Sequence, residues 1–268
     1  MSDFAPLLPI ALEAVAIASD MIRTTAPGRL TAKGDRDAAS EVDFAVERAL
    51  REFLRAGTPD IAFLGEEGGG GDASNRDQTL WALDPVDGTM NFVRGVPLCG
   101  VSLALVADGR PVVGVIDLPF LRCRYHGVSG HGSFSGTERL RVGTTTELDD
   151  AIVALGDYAV GSGASRRNQD RFAITEQLAA RVQRVRMLGS AAVDLAWVAE
   201  GRIDASIIMS NKPWDVAAGV LIAREAGAAV RDRDGTDHTF GSEATITANR
   251  VLAPRLTDLI TAATVSPR

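Results

Sequence analysis

The chain reads as a layered α/β protein, mixed α+β in its N-terminal lobe to about residue 145 and alternating α/β from about 146 to 268, packed as a single domain. Three observations predict this. Amphipathic helical runs open the sequence, short apolar runs joined by glycine turns fill its middle, and apolar runs alternate with helical stretches after residue 150. No internal repeat, low-complexity tail or linker divides the chain.

Taken in order, Leu7, Leu8, Ile10, Ala11, Ala14, Val15 and Ala18 recur at helical spacing and predict one long amphipathic helix over residues 4–24. TAKGDRDAAS (31–40) is polar and irregular and predicts a loop. In SEVDFAVERALREFLRAG, Ser40 with Asp43 three positions on marks a helix N-terminus, and Gly57 marks its end. IAFLGEE (61–67) begins as a short buried strand, and the glycine run GGGGDASNRD after it is loop. TLWALDPV (79–86) is a second apolar strand, ending at Leu83. VSLALVADGRPVVGVIDLP (101–119) is a hairpin about Asp108-Gly109, and RCRYHGVSGHGSFSG (122–136) a further strand pair. RNQDRFAITEQLAARV (167–182), SAAVDLAWVAEGR (190–202) and WDVAAGVLIAREAGA (214–228) read as helices.

Composition removes several function classes. The formal charge of −7 with no basic face argues against a nucleic-acid partner. Two cysteines without CxxC spacing argue against a disulfide framework and for a reducing, cytoplasmic setting. Three scattered histidines supply no zinc site, and no GxSxG elbow supports a serine hydrolase. The N-terminus has no basic segment ahead of an apolar run, so no signal peptide is expected. No stretch is expected to be long and apolar enough to cross a membrane.

The chemistry gathers at LDPVDGTMNF (83–92). Asp84 follows a strand, and Pro85 stiffens the turn that aims Asp84 and Asp87. Two carboxylates aimed at one point repel unless a cation lies between them, and hard oxygen ligands suit Mg²⁺. Gly88-Thr89 then opens a helical stretch whose free N–H groups favour an anion. DPVDG by itself equally fits an Asx turn with no ligand. Two more acidic segments weigh against that: FLGEE, where Glu66 ends a buried strand, and PWDVAAG, where Asp215 lies near a helix start.

In this order, GEE, WALDPVDGTMNF, LGSAAVDLAWVAEGRID and PWDVAAG resemble the inositol monophosphatase family of Mg²⁺-dependent, lithium-sensitive phosphatases, over nearly the whole chain. The resemblance implies an αβαβα sandwich and a homodimer acting on a small phosphorylated metabolite. It implies two or three Mg²⁺ ions on Glu66, Asp84, Asp87, Asp215 and the Val86 carbonyl. It further implies that Gly88 and Thr89 contact phosphate, with Asp87 and Asp215 also facing substrate. Asp43 and Thr89, with Glu66, would orient the attacking water, and Gly189, Ser190 and Ala191 would line the substrate pocket. Inositol 1-phosphate is the substrate implied first. Histidinol phosphate, fructose 1,6-bisphosphate and phosphoadenosine phosphate are the alternatives within the superfamily. A non-catalytic binding or regulatory protein on the same fold is the rival class, which the complete ligand set argues against. One departure bears on substrate: the glutamate usual seven residues before the WD aspartate is here Ile208, which cannot accept a hydrogen bond from a hydroxyl. Ser206 or Ser210 would have to replace that contact.

Overall fold

In the structure, a computed structural model that describes residues 4–34, 37–71 and 78–265, a 3-10 turn leads into α1 (Leu8–Thr24). Of the predicted stripe, Ala11, Ala14, Val15 and Ala18 are buried, Leu7, Leu8 and Ile10 are half-buried, and Ile22 joins the buried face. The membrane expectation needs correcting. Ala5–Thr24 has a mean hydropathy of 1.6, long and apolar enough by length and composition to span a bilayer. In this fold its buried stripe is covered by protein. The expected loop at 31–40 is instead an antiparallel hairpin, β1 (Leu30–Gly34) with β2 (Asp37–Ser40). All five β1 residues are exposed, so no alternation of polar and apolar side chains marks it as a strand.

The helix α2 (Glu41–Gly57) starts with the expected capping box, Ser40 and Asp43 each satisfying the other's backbone N–H. There follow β3 (Ala62–Gly65), the two-residue β4 (Gly69–Gly70), β5 (Leu80–Asp87) and the short α3 (Thr89–Arg94). The glycine run expected to be all loop thus contains a short strand, Gly69 and Gly70 pairing with Gly65 and Leu64, because glycine fits close backbone pairing; residues 72–77 lie outside the described residues. Next come β6 (Gly100–Ala107), β7 (Arg110–Leu118), β8 (Cys123–Val128), β9 (Gly132–Ser135) and β10 (Glu138–Arg139). Asp108 and Gly109 both take positive φ, 51° and 65°, the conformation a tight β6–β7 hairpin demands. These strands form one sheet in the order β10-β9-β8-β7-β6-β5-β3-β4.

The second half builds β11 (Ile152–Leu155), α4 (Ala164–Arg181), β12 (Arg184–Arg186), α5 (Ala191–Ala199), β13 (Ala205–Ile208), α6 (Pro213–Glu225), β14 (Ala229–Arg231), β15 (Thr245–Ala248) and α7 (Leu252–Val265). Its sheet runs β12-β11-β13-β15-β14. Not anticipated from sequence is α7, although its buried Leu252, Leu256, Leu259 and Ile260 do recur at helical spacing.

Period-two alternation on β5 sets the layers. Trp81 and Leu83 face α1 and α2, whereas Leu80 and Ala82 face α5 and α6. Helices α5 and α6 also contact the five-stranded sheet, and α4 and α7 close that sheet's outer face. The stack is therefore α1α2, sheet, α5α6, sheet, α4α7, the five layers expected. Close approach of α6 to the first sheet needs glycine: a Cβ at Gly114 on β7 would lie 2.9 Å from the Ala218 carbonyl oxygen. Gly114→Val should therefore cost about 2–3 kcal/mol by overpacking. A thermal melt should fall by roughly 4–10 °C. An unchanged melting temperature would contradict this packing.

Candidate active site

Strand β5 does not end at Leu83 but continues through Asp87, with an irregularity between Asp84 and Asp87. Asp84 pairs with Ser102 and Asp87 with Gly100, so three steps on β5 match two on β6. Without that extra residue, positions three apart would point to opposite faces. With it, both aspartates take the face of Gly100 and Ser102. Pro85, which has no N–H to donate, is tolerated in such a bulge. The Ser102 hydroxyl donates to the Trp214 carbonyl of α6 at 3.3 Å, so this face is the one that meets the α5–α6 layer.

Four elements converge there. Glu66 sits one residue past β3, its N–H bonded to Leu83 O at 3.2 Å. Asp215 lies in the first turn of α6, where Pro213 fits the helix start. Carboxylate oxygens of Glu66, Asp84 and Asp215 all lie within 4.8 Å of one another. At that separation each ionised pair repels by about 3.5 kcal/mol for an effective dielectric near 20. Burial, then the neighbouring Glu66, Asp87 and Asp215 charges, hold the Asp84 carboxyl well above the usual carboxylate range. Asp215 is raised in the same way by burial and by Asp87 and Glu66. Hard oxygen donors that cannot all ionise unaided suit a divalent cation. Asp84 also makes the Asx contact considered from sequence, accepting from the Val86 N–H at 3.1 Å.

Asp87 is held differently. It accepts from Ser190 Oγ at 2.5 Å, Ala192 N at 2.6 Å and Ala191 N at 3.3 Å, at the start of α5. Burial pushes its carboxyl up to about 6 in spite of those donors. The Val86 carbonyl accepts from Thr89 Oγ1 at 3.0 Å, and the same hydroxyl lies 3.0 Å from Asp43 Oδ1. Asp43 is fully buried, and burial raises its carboxyl although Ser40 and Thr89 donate to it. Gly88 takes φ +82°, and a Cβ there would press on Leu98 O at 2.9 Å and Gly189 O at 3.1 Å.

Three contributors are missed by the sequence reading. Lys33 on β1 donates to Glu66 at 2.6 Å and Glu67 at 2.8 Å. Burial opposes its charge, but those carboxylates outweigh burial and raise the ammonium above its usual range. Glu47, buried on α2, accepts from Glu67 N at 2.7 Å and Gly68 N at 2.8 Å and so holds the turn that presents Glu66. Its carboxylate would sit 2.4 Å from a Cβ at Gly65, which explains that glycine. The signal was available, since Glu47 follows Asp43 by four residues on one helix face. Asn91 Nδ2 donates to Leu98 O at 2.7 Å and Leu188 O at 2.8 Å, tying the segment before α5 to the β5–β6 connection.

A profile of the inositol monophosphatase family matches residues 3–266. The chain belongs to the inositol monophosphatase family. Among relatives, an inositol-1-monophosphatase of Rhizobium meliloti is 35% identical over 236 residues, 87% of this chain and 86% of that protein. A fructose-1,6-bisphosphatase/inositol-1-monophosphatase of Thermotoga maritima is 33% identical over 219 residues, 82% of this chain and 80% of its own length. The crystal structure of extragenic suppressor protein suhB from Bartonella henselae superposes with a TM-score of 0.88 at 30% identity, covering 96% of this chain and 98% of that one. Members of the inositol monophosphatase family are metal-dependent phosphatases, and the fold, the enzyme class and the acidic cluster of this chain agree with that.

An acid whose folded pKa is raised costs stability as pH rises from its unfolded value towards the folded one. For Asp87 that window runs from about 4 to about 6, and Asp84 and Asp215 are shifted in the same direction by burial and by their acidic neighbours. A bound divalent cation should remove the penalty. Mg²⁺ at about 100 times its Kd should add about 2.7 kcal/mol, a rise of roughly 5–10 °C in melting temperature. With the Mg²⁺ concentration held at the pH 8 value, the rise should be smaller at pH 5, where protons compete for the carboxylates and Kd is higher. Equal shifts at both pH values, or none, would rule out cation binding by these carboxylates.

Proposed function

We propose that the protein is a Mg²⁺-dependent phosphomonoesterase that releases phosphate from a small metabolite, with inositol 1-phosphate as its substrate. The observation that carries this is the convergence of Glu66, Asp84 and Asp215 within 4.8 Å, next to the hydrogen-bonded Thr89–Asp43 pair. The residues that would hold the metal are Glu66, Asp84, Asp87, Asp215 and the Val86 carbonyl. When bound, Mg²⁺ supplies a water of lowered pKa and neutralises charge on the transferring phosphoryl group. Thr89 Oγ1, donating to Asp43, keeps a lone pair to accept from that water and fix its line of attack. A proton arriving at Thr89 can pass to Asp43, whose burial favours taking it up. Gly88 and Thr89 would contact the phosphate. Gly189, Ser190 and Ala191 would border the ester group while Ser190 and Ala191 hold Asp87 in place.

Substrate reading is looser. Ile208 ends β13, 7% exposed and packed in the apolar cluster with α5 and α6. Ser206 is fully buried, and the exposed Ser210 accepts from the Arg171 guanidinium. Ser206 is closed off from solvent and Ser210 is already engaged by Arg171, which disfavours either as a replacement for a glutamate at that position. Inositol 1-phosphate is thus expected to be cleaved with modest preference, and fructose 1,6-bisphosphate is the second reading, favoured by the double name of the Thermotoga maritima relative.

Asp84→Asn should lower kcat by about 10²- to 10³-fold in a Mg²⁺-dependent phosphate-release assay, as expected when a group that stabilises transition-state charge is lost. Retention of more than about a tenth of wild-type rate, under roughly 1.4 kcal/mol, would sink the assignment. The same assay on inositol 1-phosphate, histidinol phosphate, fructose 1,6-bisphosphate, phosphoadenosine phosphate and glycerol 2-phosphate tests the substrate. A clear preference for another member of the panel would replace inositol 1-phosphate, and release from none would favour a non-catalytic role.

A further inference from the structure

A second concavity, of about 710 Å³, lies at the edge of the five-stranded sheet beyond β14. Three separate elements bring arginines to it: Arg224 from the last turn of α6, Arg231 from β14 and Arg250 from the turn before α7. Two acids, Asp237 and Asp258, share the lining, so positive charge is in excess. Arg231 is ion-paired with Asp237, whose side chain is 82% exposed, so that pair is weakly held and easily exchanged. Among the described residues, Arg224 and Arg250 have no carboxylate within ion-pair distance. Arg224 donates to the His238 carbonyl at 2.5 Å, and burial, with the Arg110 and Arg231 charges added, makes its own charge costly to keep there although the nearby Asp237 carboxylate partly offsets that cost. The small residues Ala228, Ala229, Ala253 and Pro254 share the lining and leave room for an organic body.

The occupant follows from this chemistry. Guanidinium forks match phosphate oxygens two at a time, and a charge left uncompensated at a half-buried site is relieved by an anion. The volume exceeds that of a bare phosphate and falls in the usual range for small-molecule sites, about 300–1,000 Å³. The cavity is also distinct from the carboxylate centre. Asp215 and Arg224 are nine residues apart on α6, about 14 Å along its axis, at opposite ends of the helix.

We propose that this cavity binds a phosphorylated small metabolite, its phosphate held by Arg224, Arg231 and Arg250. Pyrophosphate is the probe, titrated by calorimetry into the intact protein in EDTA. Without divalent cations the carboxylate centre repels anions, so heat reports on the arginine cavity. Saturable binding with a Kd of about 1 mM or tighter is expected. Arg231→Gln combined with Arg250→Gln should weaken it by about tenfold or more, and Asp84→Asn should leave it unchanged. Thr257→Glu, which adds a carboxylate to the cavity wall from α7, should weaken it as well, with thermal melts confirming that each variant is folded. No saturable heat up to about 20 mM pyrophosphate, wild-type binding by the folded double variant, or loss of binding in Asp84→Asn would overturn the proposal.

Discussion

Mutual repulsion among buried carboxylates is the constraint on which the rest of this structure depends. Glu66, Asp84 and Asp215 are drawn from three elements into one 4.8 Å cluster, with Asp87 close enough to raise the pKa of two of them. A protein does not assemble such a group for stability, because each charge loses hydration and gains a like-charged neighbour. The surrounding structure offsets that cost piecemeal. Lys33 neutralises Glu66 from the hairpin, and the first N–H groups of α5 with the Ser190 hydroxyl satisfy Asp87. What stays uncompensated at Asp84 and Asp215 is a preference for a cation.

Both sheets and the layer between them serve this arrangement. The bulge in β5 turns Asp84 and Asp87 to a single face, and α5 and α6 start where that face needs hydrogen-bond donors and a further carboxylate. Glycines let these parts close up. Gly114 admits α6 against the first sheet, Gly65 admits the Glu47 carboxylate beneath the Glu66 turn, and Gly88 adopts the positive φ that opens α3. On the opposite side of β5, Asp43 serves twice, first as capping partner of Ser40 and then as acceptor for Thr89.

Hydrogen bonding is distributed unevenly about the carboxylates. The carboxylate cluster is held by hydrogen bonds and an ion pair from several elements, Lys33 on Glu66, Ser190 and Ala192 on Asp87, and the Val86 N–H on Asp84. Away from it, Ile208 is packed into the apolar cluster with α5 and α6, Ser206 is buried, and Ser210 accepts from Arg171.

Local chemistry made much of this protein readable. Helical spacing placed α1, α2 and α4 to α6, the Ser40–Asp43 pair placed the α2 cap, and Asp108-Gly109 placed a hairpin, because each depends on residues within one or two turns of chain. The motif carboxylates were legible for the same reason, as residue types in short fixed spacings. Tertiary structure alone decided that Asp84 and Asp87 share a face, since a bulge is defined by the partner strand and not by its own sequence. It decided that β1 and β2 pair as strands, because a strand exposed along its length has no alternation to read. It decided the roles of Lys33, Glu47 and Asn91 and the meeting of three arginines beyond β14. Those contacts join residues far apart in the chain, and nothing in a linear sequence records which distant side chains the packing of layers will bring together.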